Sequence, residues 1–114
     1  MNELIDFDAI RSVVGDDGDI HHRLYKSYIK SASECVGNIC KFHTEKDRQN
    51  VIMSAHQLKS AARTVGALQV CDIAEKLEKH ALSLDDDELA LLVEELSVQQ
   101  SLVEALLQAK ISET

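Results

Sequence analysis

No proline interrupts the 114 residues of this chain, and apolar side chains return every three or four positions along most of it. Proline ends helices more sharply than any other residue. Its absence lets long helices run, and the three-to-four spacing gives each of them one face to bury. Four glycines are the main punctuation that remains. Hydrophobic residues make up 45% of the sequence and aromatics only 4%, so leucine, isoleucine, valine and alanine have to build the core. A chain of this length supports one core, and residues 1–114 are read as one domain. The expectation is an all-α protein.

Caps and periodicity place five helices. The first, about Phe7 to Val14, has Asp6 to cap its start and Gly15 to end it; at that length it needs the rest of the protein beneath it and is expected to act as a lid. The second follows Asp16-Asp17-Gly18 and turns Ile20, Leu24, Tyr28, Ala32, Val36 and Ile39 inward. Gly37 weakens its interior or marks a close approach by a neighbouring backbone. Thr44 and Asp47 resemble a capping box with the shorter acid, so the third helix is expected to start near Glu45 and run to about Thr64, closed by Gly66. The fourth, about Leu68 to Leu82, buries Val70, Ile73, Ala74, Leu77 and Ala81. Asp85 with Glu88 opens a fifth, which buries Leu89, Leu92, Val93, Leu96, Val103 and Leu106 and reaches about Lys110. Short connections force consecutive helices antiparallel. The expected architecture is an up-and-down antiparallel four-helix bundle with a short additional N-terminal helix.

The formal net charge of −8 argues against nucleic acid as a partner, because most of the surface repels a phosphate backbone. No apolar run approaches membrane-spanning length and no basic-then-apolar leader opens the chain, so a cytoplasmic protein without membrane contact is expected. Cys35, Cys40 and Cys71 form an odd set without C-x-x-C spacing. Cys35 and Cys40 fall about 140° apart around one helix, which suits neither a disulfide nor a shared metal. They are read as reduced, largely buried side chains.

The chemistry concentrates in the third helix. At about 100° per residue, Val51, Ala55, Leu58, Ala62 and Val65 fall within about 40° of one direction and define its core side. His56 then lies about 140° from the core centre, on the surface near the middle of the helix. On the same flank are Lys59 at about 80°, Ile52 at about 100°, Arg63 at about 120°, Ser60 at about 180° and Met53 at about 200°. Ile52 and Met53 set apolar bulk outside, and Ser60 leaves the imidazole accessible. An exposed neutral imidazole is a nucleophile at physiological pH, and Lys59 and Arg63 could balance the charge of a phosphoryl group arriving there.

The stretch "HQLKSAARTVGA" resembles the signature of the histidine-containing phosphotransfer (HPt) domain family, H-x-L-K-G-x-x-x-x-x-G. His56, Leu58, Lys59 and Gly66 match at their spacing, Ser60 stands where the family usually has glycine, and "KLEKHA" resembles the Leu-Glu stretch of the family's next helix. The resemblance implies a four-helix bundle whose His56 takes a phosphoryl group, on Nε2, from the aspartyl phosphate of one receiver domain and gives it to the aspartate of another. It implies a phosphoryl carrier rather than an enzyme, with no cofactor, nucleotide or metal of its own, the receiver bringing Mg²⁺. Lys59 would attract the phosphoryl group and Leu58 would anchor the helix. A hairpin turning near Val65 and Gly66 brings Glu75 to Glu78 back beside His56, and Glu78 stands at the spacing where the family often has a polar residue accepting a hydrogen bond from Nδ1; it would orient the ring and raise its basicity. Ile52, Met53, Ser60 and Arg63 are the expected partner-binding residues of a monomer. His21, His22 and His80 lack a lysine three residues on, and these three together with His43 are read as surface histidines.

Two rivals fail on sequence grounds. A di-iron bundle requires inward Glu-x-x-His pairs, and none occurs. A kinase core requires a glycine-rich nucleotide loop, which is also missing. A third reading, an acidic adaptor that docks through Ile52, Met53 and the first two helices without accepting phosphate, differs from the carrier in what replacement of His56 by glutamine would do. Whether the chain stands alone or ends a hybrid sensor kinase is left open by the residues.

Overall fold

In the computed structural model, which describes residues 4–113, five helices follow one another: α1 (Phe7–Val14), α2 (Gly18–Thr44), α3 (Arg48–Thr64), α4 (Leu68–His80) and α5 (Asp86–Ile111). The α2 helix packs on α3 and α5, and α4 packs on the same two, so α2 to α5 close an up-and-down four-helix bundle with α3 and α5 on one diagonal. The expected fold class is the one observed. No helix among the described residues is long and apolar enough to cross a membrane.

The helices differ in length, and this gives α1 its place. With 27 and 26 residues, α2 and α5 outrun α3 and α4, which have 17 and 13. Beyond the α3–α4 turn the bundle lacks two of its walls, and α1 lies there. Phe7 meets the ring of Tyr25 edge-on at 6.2 Å, the Lys110 ammonium sits 5.1 Å from the Phe7 ring centre, and Ile5 and Ile10 are buried. As expected, Asp6 caps α1 by accepting from the Ala9 amide, and Gly15 ends it.

The core follows a 4-3-4-3 rhythm on each long helix. Val51, Ala55, Leu58, Ala62 and Val65 are fully buried, as are Val70, Ala74, Leu77 and Ala81, with Ile73 nearly so. On α2 the buried row is Tyr25, Tyr28, Ala32, Cys35 and Ile39. Expected core positions Ile20, Leu24 and Val36 give way to Tyr25 and Cys35: Ile20 is exposed and Leu24 and Val36 are half-buried, because the face turns slightly from the one read by spacing and α2 begins before α3 is beside it. On α5 the buried row is Leu89, Val93, Leu96, Gln100, Val103 and Leu107, with Leu92 and Leu106 only half-buried at its edge. An unbroken rhythm requires position 100 inside although it is polar. Tyr28 donates to Gln100 Oε1 at 2.5 Å, while Gln100 Nε2 has no partner among the described residues. Burial of Tyr28 also pushes its phenol above the ordinary value.

The α2–α3 connection differs from the expectation. Thr44 belongs to α2 and donates back to Cys40 O at 3.0 Å, so it cannot cap α3. Lys46 takes a left-handed φ of 59°, and Asp47 caps α3 by accepting from the Asn50 amide at 3.2 Å. The helix therefore starts at Arg48. Arg48 ties this end together, donating to Ala81 O and Leu84 O at 2.6 and 2.5 Å and to Asp86 at 2.8 Å. The Asp85–Glu88 capping box at the start of α5 is present. Gly37 has no neighbouring atom within 4 Å of where a Cβ would stand, so no backbone approaches it closely. All three cysteines are free; Cys35 is buried, Cys40 and Cys71 are half-buried, and burial raises the Cys35 thiol above its ordinary value.

Candidate functional site

The site begins with the turn that reverses the chain between α3 and α4. Gly66 has φ 69°, its N–H donates to Arg63 O at 3.3 Å, and the Ala67 N–H donates to Ala62 O at 2.9 Å. This pair of bonds is the Schellman arrangement, which needs a left-handed residue, and glycine takes that conformation without a Cβ penalty. The turn sets the register of the hairpin, so that the third turn of α4 returns beside the middle of α3.

That register brings Glu78 to His56. The ring donates from Nδ1 to Glu78 Oε2, while Lys59 donates to the other oxygen, Oε1, at 2.5 Å. One carboxylate thus holds two neighbours on the facing helix. Lys59 is drawn down against the bundle, its side chain only 15% exposed, while the His56 side chain is 61% exposed. The hydrogen bond from Lys59, and after it the one from His56, keeps the Glu78 carboxyl below the ordinary glutamate range.

The arrangement fixes the chemistry of the ring. An ionised carboxylate only accepts, so Nδ1 carries the proton and the lone pair of neutral imidazole is on Nε2. Among the described residues Nε2 has no protein partner. Ser60, one turn on, is exposed and donates back to His56 O at 3.3 Å, which keeps its small side chain against the helix. Arg63 is exposed, and no carboxylate lies within ion-pair distance of it among the described residues. Met53 is 62% exposed on the same face. Ile52, expected outside, is half-buried and packed against the core, because its side of α3 leans toward α4.

The other histidines lie elsewhere. His80 is exposed, but His21, His22 and His43 are half-buried rather than free on the surface. His21 Nε2 pairs with Gly15 O at 2.6 Å, and His21 and His22 both approach the Tyr25 ring. Among the described residues no group of three His, Cys, Asp or Glu side chains could hold a metal ion. The pairing of Lys59 with Glu78 was invisible in the helical wheel of α3 alone, since it depends on the register of α4.

A histidine presented outward from the middle of a four-helix bundle, with a lysine one turn on, defines the class. The sequence model of the Hpt domain family matches residues 23–109, and the chain belongs to that family, which gives it a histidine phosphotransfer role. Domains of this family carry phosphoryl groups rather than act as enzymes. Among solved structures, histidine-containing phosphotransfer protein B (HptB) from Pseudomonas aeruginosa PAO1 has the same fold, with a TM-score of 0.89 at 17% sequence identity, over 100% of this chain and 99% of that one. Comparison with curated proteins gave no match.

Proposed function

We propose that His56 is the phosphoacceptor of a two-component phosphorelay, taking a phosphoryl group from the phosphoaspartate of one receiver domain and passing it to the aspartate of another. The observation that carries this reading is the division of the ring: Glu78 engages Nδ1 and the Nε2 lone pair faces solvent on an exposed side chain. In the first transfer Nε2 attacks phosphorus, the N–P bond forms, and the P–O bond to the donor aspartate breaks to return a carboxylate. The Nδ1 proton stays toward Glu78, whose charge stabilises the cationic ring that results. In the second transfer the N–P electrons return to Nε2 as the acceptor carboxylate attacks.

Lys59 offsets the charge of the transferred group, moving a short way from Glu78 as a mobile point charge. Ser60 leaves room above the ring, Met53 and Arg63 meet the receiver beside it, and Ile52 shapes the edge of that surface from its half-buried position. The chain works as a monomer in the cytoplasm, and the receiver brings the Mg²⁺.

The test is incubation with a phosphorylated receiver domain, followed by mass spectrometry under alkaline conditions that preserve phosphohistidine. Label on His56 is expected. The His56→Gln variant should fold with a stability within about 0.5 kcal/mol of the parent, because the ring is mostly exposed, and bind the receiver without taking label. Label on none of the five histidines from a competent donor, or undiminished label in His56→Gln, would overturn the assignment.

A further inference from the structure

Among the described residues each of the first four helices leaves one large apolar side chain exposed: Val13, Ile20, Met53 and Leu68. The α5 helix leaves three, and they are in line. Leu91, Val98 and Leu102 are 66%, 53% and 47% exposed. At 100° per residue they share one direction, within about 40°, with Ala105 and Ala109. This row lies opposite the buried row of Leu89, Val93, Leu96, Val103 and Leu107, so α5 is apolar on two faces and the bundle uses only one. From residue 91 to 109 the outward row runs about 27 Å. Near its C-terminal end Leu106 lines an open apolar hollow of about 350 Å³ with Leu4, Ile5 and Phe7.

The border of this stripe carries one sign of charge. Asp87, Glu88, Glu94 and Glu95 lie within about 60° of its midline and are all exposed. The only basic residue on α5 is Lys110, which sits over the Phe7 ring. A second copy of the chain would bring another net charge of −8 and, from the same helix, one lysine to meet four acids. Charge complementarity calls instead for a cationic partner. The position of the stripe matters as well: α5 is diagonal to α3, so whatever covers it leaves His56 open.

We propose that the outward face of α5 is a docking site for a basic amphipathic helix of another protein. That helix lays its apolar row along Leu91, Val98 and Leu102, sets lysines or arginines against Asp87, Glu88, Glu94 and Glu95, and inserts a large side chain into the hollow beside Leu106. Its function is to tether this bundle while α3 stays free to meet a second protein. The site does not depend on the phosphotransfer reading.

The probe is a fluorescent synthetic peptide of about 20 residues, with leucines on one helical face and lysines on both edges, titrated with the full chain and followed by anisotropy. Saturable binding is expected, weakened by added salt. The double variant Leu91→Ser/Leu102→Ser keeps the net charge and touches no buried residue, and should weaken binding about tenfold or more. A second variant, Glu94→Gln/Glu95→Gln, should weaken it and flatten the salt dependence, and the peptide with glutamates in place of lysines should bind about tenfold more weakly. Amide exchange should slow on α5 and not on α3 when the peptide binds. Serine variants that bind like the parent would overturn the proposal, since the attraction would then come from net charge alone. Protection confined to α3 would do the same, as would a stable dimer in sedimentation that the serine variant dissolves.

Discussion

Replacing Gly66 with alanine should destabilise the bundle by about 2 to 3 kcal/mol, although it adds only one methyl group. Two terms contribute. Alanine held at φ 69° costs roughly 1 to 2 kcal/mol, because Cβ crowds the carbonyl in the left-handed region. That Cβ would also stand 2.7 Å from the Asp6 carbonyl oxygen and 3.1 Å from its nitrogen, both backbone atoms that cannot swing aside. Moving them strains the hydrogen bond from Asp6 N to Gly66 O, 2.8 Å long, which contributes about 1 kcal/mol. For 114 residues, about 1 kcal/mol corresponds to roughly 4 °C in Tm, so thermal unfolding followed by circular dichroism should fall by about 8 to 12 °C. Gly37→Ala is the internal control. It lies inside α2 with open space around it, so the same change should raise stability by about 0.5 to 1 kcal/mol through helix propensity. Amide exchange at Asp6 should accelerate in the Gly66 variant alone. A Gly66→Ala protein within about 0.5 kcal/mol of the parent, or the same sign of change at both glycines, would refute the reasoning.

The Glu78→Gln substitution should remove a pH-dependent contribution of about 1 kcal/mol, measured by urea denaturation. Because Lys59 and His56 hold the Glu78 carboxyl below its ordinary value, that contribution is full above the unfolded value of about 4.3 and is lost as pH falls through the lower folded value. The stability gap between parent and variant should therefore be wide at pH 7 and narrow as the pH falls below the unfolded value, and a gap independent of pH would contradict the ion-pair account. Tyr28→Phe should cost about 1 to 2 kcal/mol, because it leaves both polar atoms of Gln100 unpaired in the core; adding Gln100→Leu should recover most of that loss, and an additive pair would refute the coupling. Leu58→Ala, at a fully buried position directly behind the site, should cost about 2 to 5 kcal/mol in urea denaturation, and a loss under about 1 kcal/mol would show that α3 does not bear on the core there.

Much of the fold was legible because its determinants are local. The Asp6 and Asp85 caps, the row from Val51 to Val65 and the left-handed Gly66 each depend on residues a few positions apart, and each is where spacing places it. Where two local signals competed, spacing alone could not choose. Thr44 reads equally well as the end of one helix or the cap of the next, and its hydroxyl bond to Cys40 O, with Lys46 turning left-handed, settles it in favour of the first. Gln100 looks like a surface residue until Tyr28, 72 positions away, offers it a partner in the core.

The sequence alone determined that His56 stands outside the bundle, since its angle from the apolar row is a property of α3 itself. Tertiary structure decided which ring nitrogen is left open and where Lys59 rests, because both follow from one carboxylate on another helix, and the register of two packed helices is set by turn geometry and interlocking side chains. It also decided that one apolar row of α5 is core and the other is surface: periodicity reveals that a helix has two such rows, and only the positions of α2 and α4 determine which of them meets water.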